Sequence, residues 1–249
     1  MKVTCFGSSD VGRQRDHNED TYYVTAKGEV PIFALVADGM GGRLGGELAS
    51  TACRDAVAEW MRNGTQNGFK GTNLLELAVA QANWVVYDTA QRFMRFRGMG
   101  TTLVLALAQE EQWFLAHVGD SRAYLWRDGQ LYQMTTDHTV VQEMVKAGYL
   151  TEQQAAVHPR RHVITRAVGV ADSVKVDIQV IPALPGDCLL LCSDGLADSM
   201  TVDNIADILE RESEPRKALH RLIDTANRKD GSDNITAVLM FAEAGEANG

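Results

Sequence analysis

Acidic residues gather in five short clusters, each placed where a predicted strand begins or ends: Asn18-Glu19-Asp20, Asp38-Gly39-Met40-Gly41-Gly42, Gly119-Asp120-Ser121-Arg122, Ser193-Asp194-Gly195 and Ser232-Asp233-Asn234. A strand end is a rigid base, and a following glycine or turn lets the backbone bend so that the carboxylate points out of the sheet. Carboxylates, water and backbone carbonyls are the ligands that Mg²⁺ or Mn²⁺ prefer, whereas thiolate and imidazole select Zn²⁺ or copper. The chain therefore reads as one built to hold hard divalent cations at the ends of strands.

With 249 residues, 45% of them hydrophobic, one large domain with a sizeable core is expected over residues 1–242, followed by a frayed tail at 243–249. The formal charge of −9 argues against nucleic acid or an anionic membrane as partner. Bound divalent cations would cancel part of that charge, so the acidity partly reflects an empty metal site. The start, Met1-Lys2-Val3-Thr4-Cys5-Phe6-Gly7, lacks the apolar stretch of a signal peptide, and no apolar run reaches the roughly 18 residues of a membrane span. A cytoplasmic monomer is expected. Cys5, Cys53, Cys188 and Cys192 have neither redox nor zinc spacing and read as reduced core residues.

Strands are predicted at Val3–Ser8, Asp20–Thr25 and Pro31–Ala37, followed by amphipathic helices at Gly46–Arg62 and Leu74–Phe93 with a polar loop at 63–73. An antiparallel meander follows at Thr101–Ala108, Gln112–Val118, Arg122–Arg127 and Gln130–Met134. A helix over Thr139–Ala147 leads into an irregular stretch to Val168, and then strands at Val174–Ile181 and Asp187–Cys192. Helices at Val202–Glu212 and Arg216–Lys229 precede a last strand, Ile235–Phe241. Helices covering a two-sheet core are the economical arrangement of these elements.

Other motifs fail. Gly39-x-Gly41 has Leu44 where a dinucleotide fingerprint needs glycine, no ribose-binding acid follows, and no Gly-Lys-Ser/Thr completes a phosphate loop. His138, His158 and His162 read as loop histidines, because Pro159 breaks any helix joining the last two. Asp198, Asp203 and Asp207 are assigned to helix caps or solvent. Asp120-Ser121-Arg122 alone reads as a polar turn; beside the other acidic blocks it reads as a metal ligand.

Arg15-x-x-Asn18-Glu19-Asp20, Asp38-Gly39-Met40-Gly41-Gly42, Gly100-Thr101-Thr102, Gly119-Asp120-Ser121-Arg122, Ser193-Asp194-Gly195 and Asp233-Asn234 occur in the order and approximate spacing of the metal-dependent Ser/Thr protein phosphatases. From about Thr4 to Phe241 the chain resembles a compact bacterial member of this protein phosphatase 2C-like, or PPM, family. The resemblance implies an α+β fold: a four-layer α-β-β-α sandwich, two central antiparallel sheets flanked by helices, with a metal cleft at one end. It further implies two Mn²⁺ or Mg²⁺ ions per site. Asp38 would bridge them with the Gly39 carbonyl on one, and Asp194 and Asp233 would ligate the other. Glu19 and Asp20 would hold metal-bound waters, Arg15 would bind the substrate phosphate, and Asp120 with Asp194 would take a weaker third ion. Phosphorylated proteins, the substrates of a cognate bacterial Ser/Thr kinase, are the implied partners.

The chemistry suits those roles. Two divalent ions about 4 Å apart can acidify a bridging water, orient it for in-line attack and neutralise phosphoryl oxygens. A guanidinium can give two parallel hydrogen bonds to phosphate, although Arg15 also reads as a surface ion pair with Arg13 as a nearby competitor. Met40 stands where eukaryotic relatives have a histidine proposed to protonate the leaving group, so that proton must come from elsewhere. The stretch 148–168 corresponds to the family's flap, and its Arg160, Arg161 and Arg166 could attract phosphorylated segments. A two-metal hydrolase of small phosphate esters and a phosphatase-like regulatory binding domain are the alternative readings.

Overall fold

The computed structural model describes residues 2–42 and 44–243, so the expected tail lies outside the described residues except for Glu243, which belongs to the last strand and pairs with Lys2. The strands are β1 (Lys2–Asp10), β2 (Asp20–Val24), β3 (Ile32–Met40), β4 (Gly100–Thr101), β5 (Leu103–Gln109), β6 (Gln112–Val118), β7 (Arg122–Arg127), β8 (Gln130–Gln133), β9 (Asp177–Pro182), β10 (Cys188–Cys192) and β11 (Ile235–Glu243). The helices are α1 (Gly45–Gln66), α2 (Gly71–Arg92), α3 (Val140–Lys146), α4 (Glu152–Ala156), α5 (Asp194–Ala197), α6 (Val202–Arg211) and α7 (Pro215–Lys229). One sheet runs β1-β11-β10-β7-β8 and the other β2-β3-β5-β6-β9, with β4 added alongside β3. Every pairing between these strands is antiparallel.

Because successive strand side chains point to opposite faces, each apolar strand feeds two cores. Phe33, Leu35 and Ala37 of β3 pack with α1 and α2, while Ala34 and Val36 between them face the other sheet. In β10, Cys188, Leu190 and Cys192 pack toward α5, α6 and α7, and Leu189 and Leu191 fill the space between the sheets. Three apolar layers therefore separate four structural layers, the α-β-β-α sandwich expected.

Some boundaries differ from expectation. Helix α1 continues to Gln66 through Asn63 and Gly64, where composition predicts a loop. Packing outweighs propensity there: Gly64 lies so close to α2 that a Cβ on it would meet Leu74 Cδ1 at 2.6 Å. Strand β9 begins at Asp177 rather than Val174, because its pairing with β6 begins only there, opposite His117. The flap region is not wholly irregular. Thr151 caps α4 through a reciprocal capping box with Gln154. The flap's two ends are joined by the Thr139–Ile164 bridge and by Val140 N donating to the Val163 carbonyl at 2.9 Å. All four cysteines are free thiols, and no helix among the described residues is long and apolar enough to cross a membrane.

Candidate metal centre

The acidic clusters meet where both sheets end on the same side. Asp20 opens β2 directly opposite Asp38 near the end of β3, Asp194 follows β10, Asp233 precedes β11, and Asp120 lies in the β6–β7 turn. Backbone contacts rather than side-chain packing set the spacing. Thr102 fixes Asp38, its Oγ1 accepting from Asp38 N at 3.0 Å while Thr102 N donates to the Asp38 carbonyl at 2.8 Å. The Asn234 side chain accepts from Glu19 N at 2.8 Å and donates to the carbonyls of Val11 and His17, each at 2.9 Å. Gly39 and the start of α1 approach so closely that a Cβ on Gly39 would fall 2.1 Å from the Gly46 carbonyl oxygen. A Cβ on Gly46 would fall 2.2 Å from Glu19 Oε2. Only glycine fits at either place.

The electrostatics of this assembly are unfavourable as it stands. Burial first, and then the charges of Asp194 and Asp233, push Asp20 up to about 7. Burial and Asp194 push Asp120 up to about 8, burial and Asp233 push Asp194 up to about 6, and Asp38 is raised well above the ordinary carboxylate range by burial and by Asp20, Asp194, Asp120 and Asp233. Burial also raises Glu19. Asp20 Oδ2 accepts from Ser193 Oγ at 2.7 Å, yet its Oδ1 and the Oδ1 of Asp194 are buried with no hydrogen-bond partner. Buried unpaired carboxylate oxygens among other carboxylates are costly unless a cation meets them. The donor set is oxygen throughout, the chemistry of Mg²⁺ and Mn²⁺, so the residues fit the ions expected.

In front of these acids lies a cleft of about 890 Å³. Arg15, Asp120, Asp194 and Asp233 line it, as do Arg161 and His162 from the flap. Arg15 Nη2 pairs with Asp233 Oδ2 at 2.7 Å, both side chains being partly exposed. Arg13 is displaced from the cleft: it packs over Gly231 in a separate depression with Asp224 and Arg228. Of the flap arginines, Arg161 faces the cleft and Arg160 does not line it. Arg166 is engaged elsewhere, donating to Asp177 Oδ1 at 2.8 Å.

Two residues do more than the sequence implies. Asp198 is the C-cap of α5, its N donating to the Asp194 carbonyl at 2.8 Å, and its side chain also lines the cleft and reaches His162 Nδ1 at 3.2 Å across to the flap. His138 is a loop residue, as expected, but a buried one, 2% exposed and stacked on His117 with ring centroids 4.4 Å apart. The sequence reading also passed over the hydroxyls beneath the acids, Ser193, Thr236 and Ser9, and the Asp137–Arg122 pair at 2.7 Å that walls the cleft beside Asp120. Thr102 lay inside a recognised block, and Ser193 beside Asp194; the run Asp137-His138-Thr139 carried the remaining signal.

A two-sheet sandwich whose strand ends converge oxygen ligands on an open cleft defines a metal-centred hydrolase fold. A family model for protein phosphatase 2C matches residues 9–240, and the chain belongs to that family. The serine/threonine phosphatase stp of Listeria welshimeri is 36% identical over 234 residues, 93% of each chain. The serine/threonine phosphatase PstP/Ppp of Mycobacterium tuberculosis superposes with a TM-score of 0.89 at 36% identity, covering 97% of this chain and 99% of that one. The catalytic domain of PstP in complex with two manganese ions superposes with a TM-score of 0.84 at 34% identity, over 97% of this chain and 99% of that one.

Proposed function

We propose that the chain is a metal-dependent protein phosphatase that hydrolyses phosphoserine and phosphothreonine in proteins by direct attack of water. One observation carries this reading. Asp20, Asp38, Asp120, Asp194 and Asp233 converge at one end of the sandwich; burial and mutual repulsion raise the first four, and two of the buried carboxylate oxygens have no partner. Such a site needs divalent cations. Asp38 and the Gly39 carbonyl, with Asp194 and Asp233, would hold two Mn²⁺ or Mg²⁺ ions, and Asp120 with Asp194 a weaker third. When bound, the ions supply an acidified water and neutralise developing negative charge.

The remaining tasks fall to the chain's own groups. Glu19 and Asp20 accept hydrogen bonds from waters at the floor of the cleft and so fix their orientation. Arg15, partly exposed at the rim, exchanges its contact with Asp233 for the substrate phosphate, to which its fork can donate two bonds. Arg161 extends that basic edge along the flap, and Arg160 acts on approach rather than on contact. Met40 cannot donate a proton, which leaves protonation of the departing alkoxide to a water or to another acid in the site.

Phosphorylated proteins, the products of a cognate bacterial Ser/Thr kinase, are the proposed partners, with neither nucleic acid nor membrane involved. The protein is proposed to act as a cytoplasmic monomer. The test is phosphate release from a phosphothreonine peptide with and without Mn²⁺, with Asp38→Asn as control and nucleotides as competing substrates. Metal-independent turnover, or faster turnover of nucleotides than of the peptide, would overturn the reading.

A further inference from the structure

His138 stands at the crossing of two structures that the chemistry needs. On one side its backbone N donates to the Gly119 carbonyl at 2.9 Å, and its ring Nδ1 lies 3.1 Å from Gly119 N. A backbone N–H can only donate, so Nδ1 is the acceptor and the ring proton is on Nε2. That nitrogen lies 3.2 Å from Asp177 Oδ2 and 3.1 Å from Arg166 Nη1; since it carries the proton it donates to Asp177, and Arg166 Nη1, beside it, donates to the other Asp177 oxygen at 2.8 Å. On the other side the His138 carbonyl accepts from Thr165 N at 2.7 Å, and the next residue, Thr139, bridges Ile164. One buried residue thus joins the turn that carries Asp120 to both strands of the flap stem.

We propose that His138 is a positioning residue that ties the Gly119–Asp120 turn to the flap stem, with the two ring nitrogens serving different ends of that tie. Nδ1 holds the turn and thereby Asp120; Nε2, through Asp177 and Arg166, holds the stem and thereby the flap's cleft-facing residues. Gly119 could not be held by packing instead. It has φ +103, and a Cβ on it would meet Thr102 Cγ2 at 2.7 Å, so the turn has no side chain of its own there and depends on its hydrogen bonds. The catalytic half of the proposal rests on the reading of Asp120 as a metal ligand.

Two substitutions divide the ring. His138→Asn keeps an acceptor near the Nδ1 position and removes the reach to Asp177. His138→Gln keeps a donor near the Nε2 position and removes the acceptor for Gly119. Loss of an outer-shell partner costs about tenfold or more in activity. His138→Gln should therefore lower kcat on a phosphothreonine peptide by about tenfold with little change in KM, and should speed hydrogen exchange at the Gly119 amide in the metal-free protein. His138→Asn should keep kcat and Gly119 protection but raise KM. Unchanged Gly119 protection in His138→Gln, or an equal loss of kcat per folded molecule in both variants, would overturn the proposal. Asp120→Ala measured alongside separates the premises: if it keeps full kcat while His138→Gln deprotects Gly119, the metal-ligand reading falls and the tie stands.

Discussion

Metal-free protein should lose stability as pH rises, and Asp20 sets the scale. Its carboxyl is pushed up to about 7 in the folded state by burial and by Asp194 and Asp233, whereas an unfolded aspartate titrates near about 4. Below about pH 4 the group is protonated in both states and contributes nothing. Above that, the unfolded chain ionises while the folded one keeps its proton, so unfolding becomes easier until about pH 7. The gap between those two values corresponds to about 4 kcal/mol of stability. The amide of Asp20→Asn imitates the protonated carboxyl in shape and in donor, and still offers Ser193 Oγ an oxygen, so it should remove that penalty. In EDTA at pH 8 the variant should be more stable by about 4 kcal/mol, which for a chain of this length raises Tm by about 10 °C. At pH 4 the difference should vanish. Circular dichroism melts at pH 4, 6 and 8 read it directly, and excess Mn²⁺ should erase the variant's advantage, because ions bind the native state alone. A Tm difference independent of pH, or a variant less stable at pH 8, would refute the argument.

Asp38→Asn and Asp233→Asn should each nearly abolish Mn²⁺-dependent phosphatase activity while leaving the far-UV spectrum unchanged, since each removes an anionic ligand from a cleft and not from a core; wild-type turnover in either would sink the mechanism. Arg15→Ala should mainly raise KM for a phosphopeptide, with a smaller fall in kcat, and should change stability by less than about 1 kcal/mol because its pair with Asp233 is half-exposed. Asp120→Ala should leave two tightly bound ions in place and lower kcat across a Mn²⁺ titration; full kcat at every metal concentration would rule out its role as a ligand.

The fold was legible wherever local pattern and packing agree. β3 and β10 are short apolar runs because both of their faces are buried, and α6 begins where Thr201 can cap it, with the reciprocal bond from Asn204. Legibility failed where a distant contact decided the outcome. Nothing near Gly64 announces that Leu74 will press against it and draw α1 onward, and Asp198 looks like any surface acid until the flap brings His162 to it. The ligand acids were visible because glycine or asparagine neighbours mark them. Their supports were not: Thr102, Ser193 and Asn234 act through side-chain hydrogen bonds to groups far away in sequence, which no spacing encodes.

The same division explains why repelling acids can be held together at all. Their positions are set by strand ends and by backbone contacts too close for any side chain, such as Gly195, where a Cβ would fall 2.1 Å from the Asn234 carbonyl oxygen. The contacts at Gly39 and Gly195 are backbone to backbone and involve no carboxylate, so they are not lost when the carboxylates repel. The three apolar layers, which include whole faces of β3, β5, β10 and β11, stabilise those strands independently of the site, at about 25 cal/mol per Å² of buried apolar surface. A cost of a few kcal/mol at one end of the sandwich is then borne by the frame. It is returned when cations bind, and because the ligands are already in place little of that binding energy goes into ordering the chain.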